Sequence, residues 1–146
     1  MLCMGWCLVQ TEGGRMAGIR DVRCHPNCPP SDTPDVDGEY FHLSCSDPVS
    51  HLGGTLKTAS EMNTNRKKDP CQRCGLSMFL SSADCLLLIS FLPLHITAKW
   101  THIASAQLKP AHGWLKPTDG APNHHTWWPS ADLSDRCILF DKVQKI

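Results

Sequence analysis

The sequence predicts a mostly irregular, low-order chain with one short apolar α-helix over residues 83–92, room for a C-terminal helix, and no globular fold. Three observations lead there. The chain of 146 residues has one sustained apolar run, Cys85-Leu86-Leu87-Leu88-Ile89-Ser90-Phe91-Leu92-Pro93-Leu94-His95-Ile96. Around it stand 11 prolines, 8 histidines and 9 cysteines without clear periodicity, where a globular domain would show patterned segments alternating with short turns. The 41% apolar content is inflated by those cysteines and by five tryptophans.

Three segments follow from this reading, none a confident domain: an irregular Cys- and Pro-rich stretch (1–69), an apolar helical stretch (70–98), and a Pro-, His- and Trp-rich stretch (99–146). The apolar opening Met1-Leu2-Cys3-Met4-Gly5-Trp6-Cys7-Leu8-Val9 has no basic n-region, so it makes a poor signal peptide. Cys3 and Cys7 are conceivable palmitoylation sites. The compartment is therefore unknown, with the cytoplasm as default, where thiols stay reduced. Nine cysteines cannot all pair internally.

Pro26, Pro29, Pro30 and Pro34 make residues 24–37 irregular. A short strand is expected around Tyr40-Phe41-His42-Leu43. The cluster Arg66-Lys67-Lys68 reads as a solvated loop. Asp69-Pro70-Cys71-Gln72 is a helix start, with Asp as N-cap and Pro in the first position. Ser81-x-x-Asp84 outlines a capping box for the central helix, and Pro93 stops it because proline disfavours helical geometry at the residue before it. Residues 98–108 read as a weak helix or none, and residues 109–129 as turn-rich. In the tail, Leu133, Cys137, Phe140 and Val143 share one helical face, although they also alternate passably as a strand.

The central run raises a membrane alternative, a single-pass or membrane-associated protein held by residues 76–94. Ten strongly apolar residues would contribute roughly −3 to −6 kcal/mol to insertion, and Asp84 near the centre costs about +2.5 to +3.5. Four serines erode the remainder. A buried core helix of about ten residues fits better, yet this helix is apolar on all sides and must be enclosed by something.

Metal ligation is the chemistry with most local support. Cys24-x3-Cys28-x13-His42-x2-Cys45 combines soft thiolates and imidazole in closely spaced pairs, which suits tetrahedral structural zinc. Cys71-Gln72-Arg73-Cys74 has the outline of a redox motif, but no strand precedes it. Gly53-Gly54-Thr55-Leu56-Lys57-Thr58 lacks the glycine a phosphate loop needs before its lysine. Asp35-x-Asp37-Gly38 lacks the calcium loop's closing glutamate, Ser44 standing in its place. His112, His124 and His125 could bind copper or nickel weakly.

Fourteen basic and fourteen acidic residues give a net charge of zero, so no nucleic-acid partner is expected. No nucleophile, base and orienting group can be assembled, and the chain is not expected to be an enzyme. Its composition resembles a short open-reading-frame product without an evolved activity. The alternatives are the membrane-associated protein and a zinc-stabilised binding module; no other cofactor is expected.

Overall fold

A computed structural model describes residues 10–11, 15–16, 18–20, 24–45, 56–58, 60–62, 69–119, 121–133 and 135–146. The apolar opening with Cys3 and Cys7, residues 53–55 and the Arg66-Lys67-Lys68 cluster lie outside them. Strands β1 (Gln10–Thr11) and β2 (Arg15–Met16) form a small antiparallel ladder. Six further strands form one sheet: β3 (Gly38–Ser44), β4 (Leu76–Phe79), β5 (His102–Leu108), β6 (Gly113–Thr118), β7 (Ala121–Pro129) and β8 (Lys142–Lys145). All its pairings are antiparallel, in the order β6-β7-β4-β3-β5-β8.

This overturns the expectation of a mostly irregular chain organised by helices. The sheet draws strands from each of the three segments read from the sequence. The expected strand around Tyr40 is present as β3, running antiparallel to β5 over seven residue pairs from Gly38↔Leu108 to Ser44↔His102. Residues 98–108, read as a weak helix or none, supply β5 instead. The C-terminal helix is also replaced: Cys137–Leu139 is one turn of 3₁₀ helix, followed by β8.

The physical reason lies in burial on both faces. β5 is buried at four successive positions, Ile103 to Ala106, so it lacks the alternation that marks a half-exposed strand. On one face, Leu76, Met78, Ala104, Ala106, Leu108, Leu115 and Trp127 pack with Val36, Leu56, Cys137 and Phe140. On the other, Leu43, Phe79 and Ile103 pack with Cys85, against which Phe41, Leu88, Ile89 and Trp100 also lie. Each large side chain so enclosed contributes about 1.5–3 kcal/mol.

Helices are short. α1 (Pro70–Arg73) opens as the sequence predicts, Asp69 Oδ1 accepting the N–H groups of Cys71 and Gln72 at 2.8 and 3.0 Å. α2 (Ser82–Phe91) is the central helix, shifted by one residue from the expected span. Ser81 Oγ accepts the Asp84 N–H at 3.1 Å and donates to Asp84 Oδ2 at 2.9 Å. Leu92 is extended, ahead of Pro93, and α3 (Leu94–Thr97) adds one more turn. No described helix is long and apolar enough to cross a membrane. The candidate span 76–94 is divided instead between β4, which lies between β3 and β7, and the ten-residue α2.

Candidate functional site

The 24–28 turn and α1 meet in a four-cysteine centre. Within the turn, the Cys28 N–H donates to the His25 carbonyl at 3.2 Å, and the Asn27 N–H donates to His25 Nδ1 at 3.2 Å. Cys71 lies in α1 and Cys74, three residues on, is its C-cap in helical conformation, which places the two on one face. Two disulfides join the elements: Cys24 to Cys74, with Cα atoms 6.0 Å apart, and Cys28 to Cys71, with Cα atoms 5.2 Å apart. The ladder is anchored to the sheet, because Trp128 Nε1 donates to the Cys71 carbonyl at 2.8 Å. Gly75 permits the approach: a Cβ there would lie 2.3 Å from Thr126 Cγ2.

His25 Nδ1 also lies 3.4 Å from Cys28 Sγ. His25, Cys28 and Cys71 are the one group of three or more metal-ligating residues whose donor atoms fall within 4.8 Å of one another among the described residues. The zinc set read from the sequence is not gathered. Cys24 and Cys28 pair with Cys74 and Cys71. His42 lies within β3, its Nδ1–H donating to the Ser77 carbonyl at 2.8 Å. Cys45 is exposed beyond the end of that strand and forms no disulfide. Nor does Cys71-Gln72-Arg73-Cys74 close on itself as a redox motif would.

The three histidines proposed for copper or nickel do not converge either. His124 and His125 are consecutive strand residues and so point to opposite faces; His124 Nδ1 shares a 2.7 Å hydrogen bond with Thr118 Oγ1. His125 is buried against Tyr40, ring centroids 6.3 Å apart. Burial, partly offset by the Asn123 carbonyl and Asp84, holds its pKa below the ordinary value. His112 belongs to the 3₁₀ turn Pro110–His112, where its Nδ1 accepts the Lys109 N–H at 2.9 Å.

A cavity of about 730 Å³ runs from Cys24 and Cys74 past Trp114 and Trp128 to Glu61 and Arg136. Its guanidinium is already engaged, since Arg136 Nη1 donates to the Leu56 carbonyl at 3.0 Å and pairs with Glu61 at 2.6 Å. Burial raises the Glu61 pKa, but the Arg136 and Thr58 hydrogen bonds and the Arg136 charge outweigh it, leaving a net lowering.

A second candidate surface is the outer face of α2. Cys85, Leu88 and Ile89 face the sheet, whereas Leu86 and Leu87 are 46% and 49% exposed, Phe91 77% and Leu94 79%. Positions 87, 91 and 94 follow helical neighbour spacing, although Pro93 separates the last from the helix. Ser90 interrupts this stripe only nominally, its hydroxyl donating to the Leu87 carbonyl at 2.6 Å. Partly buried Asp84 stands at one end, and exposed His95 and Lys99 at the other.

No family model, curated protein or solved structure matches this chain.

Proposed function

We propose that the chain is a non-enzymatic protein–protein interaction module that pairs with a second copy of itself through the outer face of α2. The observation that carries this reading is the exposed stripe of Leu86, Leu87, Phe91 and Leu94. A helix apolar all round is normally enclosed on every side, and the sheet covers only one side of α2. Contiguous exposed apolar surface marks an interaction site.

Charge placement favours a second copy as the occupant. An antiparallel copy related by a two-fold axis near Ile89 and Ser90 sets Leu87 against Phe91 and Asp84 against His95 and Lys99. Such an interface is self-complementary, as two-fold dimers require, and its helix dipoles oppose favourably. A lipid surface would instead take Asp84 toward the bilayer together with the leucines, at a desolvation cost.

Sedimentation equilibrium on the full chain at micromolar concentration tests the reading. Wild type is expected to sediment as a dimer and Phe91→Asp as a monomer, with unchanged far-ultraviolet circular dichroism. A wild-type monomer would contradict the proposal. Vesicle co-sedimentation lost in Phe91→Asp, without dimerisation in solution, would assign the stripe to a membrane surface instead.

A further inference from the structure

We propose that, once its two disulfides are reduced, the chain binds one zinc ion through the thiolates of Cys24, Cys28, Cys71 and Cys74. The sequence presents these residues as two close pairs, one spaced by three residues and one by two. In structural zinc sites such spacing lets a single tight turn deliver two thiolates. The fold then brings the two turns face to face, with Cα separations of 6.0 and 5.2 Å across the centre. Tetrahedral zinc with bonds of about 2.3 Å holds its sulphurs roughly 3.8 Å apart. In the oxidised centre the Cys24 and Cys74 sulphurs lie outside the 4.8 Å cluster of His25, Cys28 and Cys71, so the metal must draw the two crosslinked pairs together once the disulfides open.

Four thiolates are favoured over a set containing His25. Ligation through His25 Nδ1 would cost the turn its Asn27 N–H bond, leaving only Nε2, whereas the four sulphurs are freed by the reduction itself. His25 therefore acts as a neighbour that shapes the turn. One cation stands near the centre: Lys116 lines a cavity of about 210 Å³ together with His25, Cys71 and Asp69. The contacts of Cys71 Sγ with the Asn27 carbonyl (3.6 Å) and Cys74 Sγ with the Pro70 carbonyl (3.3 Å) carry no hydrogen while the sulphurs are disulfide-bonded. They become S–H donors in the reduced chain until the metal displaces the protons.

The exchange balances. Each disulfide takes two electrons and two protons from two molecules of a thiol reductant, which close to their own disulfide, leaving four protein thiols. Zinc then displaces four protons and forms four Zn–S bonds, giving a centre of net charge −2. This places the same four cysteines in either redox compartment, crosslinked when oxidised and metal-bound when reduced. α1 depends on the centre in both states, because it is four residues long and has no buried side chain.

Cobalt(II) titration of the full chain under anaerobic conditions with a phosphine reductant tests the proposal. The expected result is one cobalt per chain, with tetrahedral d–d bands and sulphur-to-metal charge transfer, displaced by one equivalent of zinc. The oxidised chain should bind none. Cys71→Ser should abolish the tetrathiolate spectrum, whereas Cys45→Ser and His25→Ala should retain it. Cys74→His guards against a variant that fails only by losing a crosslink: it cannot form the disulfide but supplies a zinc ligand, so it should still bind one metal ion with altered charge transfer. Absence of stoichiometric cobalt in the reduced wild type, or an unchanged spectrum in Cys71→Ser, would overturn the proposal.

Discussion

Trp128 and Cys71, 57 positions apart in the chain, are joined by a 2.8 Å hydrogen bond from the indole N–H to the cysteine carbonyl. Through this bond the crosslinked turn is tied to strand β7. Trp128 is buried and lines the large cavity beside the centre, so its fluorescence reports on whether the ladder is in place.

The disulfide between Cys28 and Cys71 spans 43 residues. Constraining a loop of this length in the unfolded chain stabilises a fold by about 2–4 kcal/mol. The variant with Cys24, Cys28, Cys71 and Cys74 all replaced by Ser, which leaves no crosslink to close that loop, is therefore expected to lose at least about that much, read as a lower urea midpoint by tryptophan fluorescence. An unchanged midpoint would show that the pairing does not constrain the fold.

Gly113 is required where β6 meets the end of β7. Its φ is +125°, and a Cβ there would lie 2.0 Å from the Trp128 carbonyl oxygen and 2.9 Å from the Ser130 nitrogen. Both contacts are backbone and cannot rotate away. Gly113→Ala should destabilise by on the order of 3 kcal/mol. Gly38→Ala is the control: its φ is +138° but its nearest neighbours are 3.5 Å away, so the cost should be about 1 kcal/mol. Equal midpoints for the two variants would contradict this.

Much of the local structure was legible in the sequence, and the sheet was not. Asp69, Ser81 and Pro93 set helix boundaries by short-range hydrogen bonds and sterics, which need no partner element. The strands depend on partners far away in the chain. In β7, His124, Thr126 and Trp128 face one side and His125 and Trp127 the other, so polar and apolar residues do not segregate by alternation. Pro117 made the region look like a loop, yet it sits in edge strand β6, where proline is tolerated. One missed signal was present: Asp119-Gly120, between β6 and β7, is a dipeptide favoured in two-residue hairpin turns. The cysteine centre was half legible. Cys24/Cys28 and Cys71/Cys74 both stood out by spacing, but pairing two motifs more than 40 residues apart depends on the tertiary fold, of whose six-stranded sheet only β3 lies between them in the chain.

Acid should weaken the fold in two windows. His125 has its pKa lowered chiefly by burial, and its Nδ1 has no hydrogen-bond partner among the described residues. The unfolded chain takes up a proton near pH 6.5 and the folded chain does so only at lower pH. Stability is thus fully present above about pH 6.5 and falls as pH drops toward the folded value. Burial of His112, with Lys109 beside it and partly offset by Asp132, acts in the same direction. The lowered Glu61 pKa adds a loss below the ordinary glutamate value. Urea midpoints measured from pH 8 to pH 4 should fall, and His125→Gln should flatten the first decline. A stability that rises on acidification across that window would contradict the assignment.

Thiol reactivity should separate the three free cysteines among the described residues. Cys45 is exposed, whereas Cys85 and Cys137 are buried. Burial, with Asp84 beside it, pushes the Cys85 thiol up to about 12, so almost no thiolate is present at neutral pH. Iodoacetamide on the oxidised native chain should label Cys45 rapidly and reach Cys85 and Cys137 only after urea is added. Native labelling of Cys85 at the rate of Cys45 would place α2 off the sheet.

The pairing of the 24–28 turn with α1 is tested most directly by peptide mapping of the oxidised chain without reduction. Trypsin cuts after Arg23, Lys57, Lys68, Arg73 and Lys99, which separates Cys71 from Cys74. The expected product is a three-peptide species joining residues 24–57, 69–73 and 74–99, with fragmentation assigning Cys24 to Cys74 and Cys28 to Cys71. A species joining only 69–73 to 74–99, with Cys71 bonded to Cys74, would contradict it.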